Sequence, residues 1–222
     1  MNILGCSRVN KLQKFWETSK PKFAHLTDVY DWTTRDRPSL ALSMIRWPKN
    51  SIVLDYGCGG GWLGVWLLKE QNISKYIAVD IAQRQLDIAE ENLHQHRDRC
   101  EFVLAGEVDS LPHADIVVCL ACLYHMPEYL AYQRALQLIR STEAKTLLMQ
   151  WRERDQGPVQ FHKQTEYSEK SLLQACWTNS ESLLEELQPS QYEISSLTES
   201  KIGTVDARKQ FDRYGVFTLM SK

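Results

Sequence analysis

The 222-residue sequence has no large excess of charge of either sign. Its 26 lysines and arginines are balanced by 28 aspartates and glutamates, so the formal net charge is −2 at pH 7. This balance gives no sign of a polyanionic partner, although a nucleic-acid enzyme can still carry a local basic patch. No apolar stretch reaches the roughly 18 residues that a membrane span needs. We therefore expect no membrane insertion.

We also expect no signal peptide, and the sequence shows no internal repeats or low-complexity segments. Its six cysteines are scattered, which favours reduced thiols in a cytoplasmic protein. The spacing Cys119-x-x-Cys122-x-x-His125 is similar to a metal-binding pattern. A zinc site normally has four ligands, however, and no second pair lies nearby in the sequence. We therefore expect no metal, and the chain length favours one domain with a full core.

The most informative segment is rich in glycine. An apolar run, Ile52 to Leu54, ends in Asp55, and glycines follow at 57, 59, 60 and 61 before an amphipathic run that begins at Trp62. This order predicts a strand, a tight turn and a helix. Glycine lets backbone N–H groups approach a ligand with no Cβ in the way. Such a turn usually holds a nucleotide-like ligand at the carboxyl edge of a parallel sheet.

Two fingerprints overlap in this turn. Gly59, Gly61 and Gly64 alone satisfy G-x-G-x-x-G, which is typical of dinucleotide binding. Asp55, Gly57, Gly59 and Gly61 satisfy D-x-G-x-G-x-G, which resembles the first motif of the class I S-adenosylmethionine-dependent methyltransferases. The ligand of that family carries an α-amino group and a sulfonium but no pyrophosphate. An acid in the turn attracts those cations and repels a pyrophosphate, so we favour the methyl donor over a nicotinamide cofactor.

A second apolar run, Tyr76 to Val79, ends in Asp80. The distance from Asp55 is about one βα unit, which is where an acid is expected to bind a ribose. This acid does not separate the methyl donor from NAD, because both carry that ribose. Asp80 can also cap the helix predicted over 82–95. The resemblance implies that Asp80 binds the ribose and that Ile81 lies beside the adenine.

A third strand, Phe102 to Leu104, is followed by an acidic loop. The resemblance implies that an acid in this loop accepts the adenine amino group and that the next backbone N–H meets the ring. Glu107 and Val108 occupy those positions, where Asp is the commoner acid in the family. Asp109 is a competing candidate, and a solvated loop acid is the alternative for both.

The fourth strand, Asp115 to Leu120, leads into Leu123-Tyr124-His125. This again resembles the family, most closely its small-molecule and tRNA wobble-uridine branches. It implies that Cys119 lies at the donor and that Tyr124 lines the acceptor pocket. His125 titrates near neutrality and is the best general-base candidate, with a purely structural histidine as the alternative. The Pro-Pro-aromatic motif of the adenine amine methylases and the Pro-Cys nucleophile of the cytosine-C5 enzymes are both absent.

Two further regions contain candidate acceptor-binding residues. Residues 1–47 are expected to form an N-terminal helical cap, in which Tyr30 and Trp32 either bind the ligands or pack the cap on the core. Arg152 is expected in a polar loop after the fifth strand, 145–150. There it either binds an acidic acceptor or remains solvated.

The predicted fold is an α/β protein with a doubly wound, seven-stranded, mostly parallel sheet, an antiparallel last strand and helices on both faces. The methyltransferase domain is expected over 48–222, with its last strands over 191–198 and 213–220. The function implied is methyl transfer from S-adenosylmethionine to a small-molecule metabolite or natural-product intermediate. Methylation of a tRNA or protein, an NAD-dependent oxidoreductase and a donor-binding protein without turnover stay as alternatives. The sequence does not indicate the oligomeric state.

Overall fold

The structure is a computed structural model, and it describes residues 7–18, 38–153, 159–161, 176–187, 191–201 and 211–220. The helices in these ranges are α1 (Ser7–Thr18), α2 (Pro38–Ser43), α3 (Trp62–Glu70), α4 (Gln83–Asn92), α5 (Tyr129–Ser141) and α6 (Ser180–Leu187). The strands are β1 (Ile52–Tyr56), β2 (Lys75–Asp80), β3 (Cys100–Leu104), β4 (Ile116–Cys119), β5 (Thr146–Glu153), β6 (Gln160–Phe161), β7 (Cys176–Trp177), β8 (Tyr192–Lys201) and β9 (Phe211–Leu219).

Seven strands form one sheet in the order β3-β2-β1-β4-β5-β9-β8, and β6 and β7 form a separate pair. The first five strands of the large sheet pair in parallel. β9 pairs antiparallel with both β5 and β8. The predicted fold class is therefore confirmed, including the antiparallel last strand.

Buried clusters cover both faces of the large sheet. Neighbouring residues of β4 show the alternation, since Val117 belongs to one cluster and Val118 to the other. This follows from the geometry of a strand, in which successive side chains point to opposite faces. The helices contribute to the two clusters as follows: Leu136 and Ile139 of α5 and Leu183 of α6 on the first face, and Leu42 of α2, Leu67 of α3 and Leu86 of α4 on the second.

β5 is longer than the sequence predicts. Its last residues, 151–153, were expected in a polar loop, but they pair with Arg213, Asp212 and Phe211 of β9. The antiparallel partner thus extends the strand beyond the end of the neighbouring parallel pairing, which stops at Met149. The loop assignment of Arg152 is therefore wrong, because this residue lies in a strand and is only 7% exposed.

The strand order reverses at β1, which lies between β2 and β4. In a doubly wound sheet, the crevice outside the carboxyl ends at such a point is the usual ligand site. The glycine turn, Asp80 and the loop after β4 all lie at this edge. Among the described helices, none is both long and apolar enough to cross a membrane.

Candidate active site

A cavity of about 700 Å³ lies at the carboxyl edge of the sheet. Its volume is within the range of about 300–1,000 Å³ that is usual for small-molecule sites. Its walls come from α1, the ends of β1 and β2, the loops after β3 and β4, and α5. The described residues that line it are Leu12, Trp16, Tyr56, Gly57, Gly59, Val79, Asp80, Ile81, Gln85, Ala105, Gly106, Glu107, Val108, Asp109, Ala121, Cys122, His125, Met126, Pro127, Ala131, Arg134, Ala135 and Leu138.

The glycine turn is built from backbone conformations that other residues rarely adopt. Gly57 has a φ of 83°, and a Cβ built on it would lie 2.7 Å from the Cys122 side chain. Gly61 has a φ of 74°, and a Cβ there would lie 2.9 Å from Ala89. Gly57 and Gly59 line the cavity, whereas Gly61 packs against α4 and is not among the described lining residues.

Several N–H groups of this turn donate within the protein. The N–H groups of Gly57 and Cys58 both donate to the Val79 carbonyl, at 2.8 and 3.0 Å. The Gly59 N–H donates to Oδ2 of Asp80 at 3.0 Å. These donors are therefore already used, which is unlike a turn whose amides cradle a pyrophosphate.

Asp80 joins the glycine turn to α4. Its second oxygen, Oδ1, accepts at 3.0 Å from the N–H of Ala82, which is the N-cap residue of α4, so Asp80 lines the cavity without capping the helix itself. Burial raises the pKa of Asp80 to about 6, while the hydrogen bonds from the Ala82 and Gly59 amides oppose the shift. A charged ligand of positive sign would favour the ionised form of this carboxylate.

Asp55 lies behind the turn and is not among the described lining residues. It is 5% exposed, and its Oδ2 accepts from the Tyr76 hydroxyl at 2.6 Å. Burial raises the pKa of Asp55 to about 7, the hydrogen bond from Tyr76 lowers it, and the nearby charge of Asp80 raises it. Two buried acids therefore share one end of the site.

The loop after β3 contributes Glu107, Val108 and Asp109 to the wall. The Arg134 guanidinium of α5 holds this loop through the Val108 carbonyl at 2.6 Å and the Asp109 carbonyl at 3.3 Å. It also binds Oδ1 of Asp109 at 3.3 Å. Ile81, predicted beside the adenine, lines the same cavity.

His125 lies on a short 3-10 turn, Leu123–His125, at the other side of the cavity. It is 9% exposed, and the Trp16 ring of α1 meets it edge-on at 5.6 Å between centroids. The Tyr124 ring lies 4.4 Å from His125. The Arg152 guanidinium lies 4.7 Å from the centre of the Tyr124 ring. Tyr124 and Arg152 are not among the described residues that line the cavity.

The comparisons with known proteins agree with this geometry. The family model described as "Methyltransferase domain" matches residues 53–142, from the glycine turn to the end of α5. Residues 53–142 are therefore similar to a methyltransferase domain. The predicted class of enzyme and its donor are thus confirmed. A search of curated proteins finds no match.

Solved structures share the fold of this methyltransferase domain at low sequence identity. The 1,6-didemethyltoxoflavin-N1-methyltransferase of Burkholderia thailandensis, with bound S-adenosylhomocysteine, is 19% identical with a TM-score of 0.62, over 86% of this chain and 81% of that chain. The magnesium protoporphyrin IX methyltransferase of Synechocystis, with bound S-adenosylmethionine, is 15% identical with a TM-score of 0.60, over 97% and 99%. An O-methyltransferase from a trans-AT polyketide multienzyme of Brevibacillus brevis, in complex with S-adenosylhomocysteine, is 12% identical with a TM-score of 0.63, over 81% and 70%.

Not every predicted site residue of the methyltransferase lies at the cavity. The Cys119 side chain is completely buried in the core, and its neighbour Cys122 lines the wall instead. Tyr30 and Trp32 lie outside the described residues. Within the described ranges, no group of three or more His, Cys, Asp or Glu side chains is placed to bind a metal.

The sequence reasoning missed three contributions to the site. Helix α1 was predicted, but not that Leu12 and Trp16 line the cavity. Glu17 accepts from the backbone N–H groups of Gln83 and Arg84 at 2.7 and 3.1 Å, so α1 is fixed to the N-terminus of α4. The third contribution is Arg134 of α5, which holds the loop after β3. The amphipathic pattern of α1 signals a buried face but not its partner, and no local pattern distinguishes Arg134 from a surface arginine.

Proposed function

We propose that this methyltransferase transfers the methyl group of S-adenosylmethionine to a small molecule bound beside His125. The observation that carries the proposal is the pair of buried acids, Asp55 and Asp80, at a glycine turn whose first amides are already used. A donor with a sulfonium and an ammonium group compensates this buried negative charge, whereas a pyrophosphate would be repelled.

We assign a group of residues to each part of the donor. The Asp80 carboxylate keeps lone pairs for the ribose hydroxyls, since each of its oxygens accepts one backbone bond. Glu107 and the Val108 N–H are proposed to bind the adenine edge, and Asp55 to support the ammonium group from behind the turn. The bound donor supplies an electrophilic methyl carbon. The protein contributes chiefly orientation of the acceptor in line with the departing sulfur and exclusion of water.

A small-molecule acceptor is favoured by charge and by the nature of the similar structures. Three carboxylates line the described wall, while its one guanidinium is bound to the loop after β3. Such a wall gives no support to a polyanion such as tRNA. The similar enzymes of Burkholderia thailandensis and Synechocystis carry the names of small-molecule methylases.

His125 is proposed as the general base for acceptors whose nucleophile must lose a proton. It lines the cavity beside Trp16, on the loop that follows β4. In His125→Gln the kcat should fall about 100-fold or more for such an acceptor, while donor affinity should stay within about twofold. Full activity of the variant between pH 6 and 9 would leave His125 only a structural role.

The donor is tested by thermal melting with S-adenosylmethionine, S-adenosylhomocysteine and NADH. A ligand at about 100 times its dissociation constant adds about 2.7 kcal/mol to the free energy of unfolding. We expect a higher melting temperature with the first two ligands and no change with NADH. The Asp80→Ala variant should lose the shift, with Asp87→Ala on α4 as the control. A shift with NADH alone would overturn the proposed donor assignment.

The acceptor class is tested with donor labelled on the methyl group. The enzyme is incubated separately with a small-molecule extract, with total tRNA and with a protein fraction. Label transferred only to the small-molecule extract, and absent with Asp80→Ala, is the expected result. Label on tRNA that declines steeply with salt would instead assign the enzyme to nucleic acid.

A further inference from the structure

We infer that Arg134 is a positioning residue that makes the donor site selective for adenine. The inference rests on the proposed function, because it concerns how the loop after β3 binds the adenine base of the donor. Arg134 lies on α5, outside the glycine turn and the strand ends that carry the family resemblance. It lines the cavity, and its side chain is 21% exposed.

The contacts of Arg134 concentrate on two successive residues. Its Nη2 donates to the Val108 carbonyl at 2.6 Å, and its Nη1 donates to the Asp109 carbonyl at 3.3 Å. The surrounding loop has no regular secondary structure. Its backbone is otherwise held by the Glu107 N–H on Leu104 and, further along, by the Leu111 N–H on Ser141. Arg134 therefore fixes the part between these two points.

Fixing the Val108 carbonyl also fixes the N–H group of the same peptide, which is that of Asp109. The Val108 carbonyl and the Asp109 N–H belong to one planar trans peptide and point in opposite directions. Holding the carbonyl on the guanidinium thus directs that N–H away from Arg134. Among the described residues, the N–H groups of Val108 and Asp109 have no protein acceptor. They stay available for a ring nitrogen.

Arg134 also separates the two acids of the loop. It forms an ion pair with Oδ1 of Asp109 at 3.3 Å, although the Asp109 side chain is fully exposed and solvent weakens this attraction. Glu107 lines the cavity without a contact to the guanidinium, so it is the acid left to accept from an amino group. This arrangement matches adenine, whose edge offers an amino donor beside a ring-nitrogen acceptor. Hypoxanthine carries an oxygen and a ring N–H at the same places and would meet both groups with the wrong polarity.

The experiment compares two product analogues that differ only at the base, S-adenosylhomocysteine and S-inosylhomocysteine. Their dissociation constants are measured by calorimetry with the full chain. The wild type should prefer the adenine compound by at least about 10-fold, because hypoxanthine would cover the Glu107 carboxylate and the loop N–H groups without offering them matching partners. Arg134→Met should weaken binding of the adenine compound about 10- to 100-fold and change the inosine compound by less than about threefold. The base preference should therefore collapse.

Two variants make the outcome decisive. Arg140→Met removes another arginine of α5. Arg140 donates to the Glu186 carbonyl at 2.6 Å and is not among the described lining residues. The Arg140→Met variant should therefore show the same base preference as the wild type. Arg134→Lys keeps the charge and one donor, and its preference should be intermediate. It replaces Arg134→Met if that variant does not fold. An unchanged preference without Arg134, an equal loss for both analogues, or a collapse in Arg140→Met would overturn the inference. A wild type that binds neither analogue would instead refute the proposed donor.

Discussion

Asp55 should destabilise the ligand-free protein at neutral pH, and its replacement by asparagine tests this. The carboxylate is 5% exposed, and burial raises its pKa from 3.8 to about 7. A difference of about 3 pKa units at 1.36 kcal/mol each corresponds to about 4 kcal/mol. This is the free-energy cost of holding the ionised group in the folded protein when the pH is above 7.

The sign of the pH dependence follows from proton binding. Between pH 4 and 7 the folded state holds more protons at Asp55 than the unfolded state does, because its pKa is the higher one. The free energy of unfolding contributed by this group is therefore greatest below pH 4 and is lost as the pH rises to about 7. Asparagine removes the charge and so removes this slope.

The Asp55→Asn variant keeps an oxygen that can accept from Tyr76, but it buries an amide N–H₂ in place of a carboxylate oxygen. If the unpaired amide costs about 1–3 kcal/mol, a net gain of about 1–3 kcal/mol remains at pH 8. For a chain of this length, that corresponds to a melting temperature roughly 2–12 °C higher. The gain should narrow as the pH falls toward 4.

Donor binding should change in the opposite direction. If Asp55 supports the ammonium group, the asparagine variant should bind S-adenosylmethionine about 10- to 100-fold more weakly. Calorimetry and thermal melting at pH 5, 6.5 and 8 measure both effects. Asp87→Asn, which alters an exposed carboxylate of α4, is the control and should change neither. A variant that melts at or below the wild-type temperature at pH 8, with the wild-type pH slope, would refute the reasoning.

Two other changes test the glycine turn and helix α1. Gly57→Ala should lower the melting temperature and abolish donor binding, because φ is 83° and the new Cβ would overlap Cys122. Gly59→Ala should have smaller effects on melting temperature and donor binding, since only one atom lies within 4 Å of its Cβ position. Thermal melting with and without donor measures both, and equal effects would contradict the packing argument. Glu17→Gln should speed dissociation of S-adenosylhomocysteine about 2- to 5-fold in stopped-flow experiments, because a carboxylate no longer binds the positive end of α4. An unchanged rate would show that α1 does not retain the ligand.

The glycine turn and the two buried acids of the candidate site could be predicted from the sequence because short segments encode them. Asp55 is the last residue but one of β1 and Asp80 is the last residue of β2, and parallel strands bring their carboxyl ends to one edge. Glycines with positive φ follow the first strand directly. Each of these features depends on residues that are neighbours in the chain, so a local pattern is sufficient.

The surroundings of His125, Arg152 and Cys119 could not be predicted in the same way, because distant contacts determine them. Trp16 reaches His125 through the packing of α1, more than 100 residues away in the chain. Arg152 belongs to a strand that β9 extends, so it does not lie in a loop as predicted. At Cys119 the alternation of β4 places the side chain in the core. The sequence near each of these residues contains no pattern that predicts its surroundings.

Some of the positions at which this chain departs from ordinary folding preferences lie at the carboxyl edge of the sheet, although Asn50, Asn72, Glu143 and Gln191 have positive φ elsewhere. Asp55 and Asp80 bury carboxylates, Gly57 has a positive φ, and so does Ala121, with φ 53°. Ala121 lines the cavity, and its N–H donates to the buried side chain of Gln150 at 2.8 Å. A non-glycine residue in this conformation costs about 1–3 kcal/mol and persists only where its surroundings enforce it. Strain and buried charge that reduce the stability of the empty protein thus coincide with the proposed ligand site, as expected where function rather than folding selects the residues.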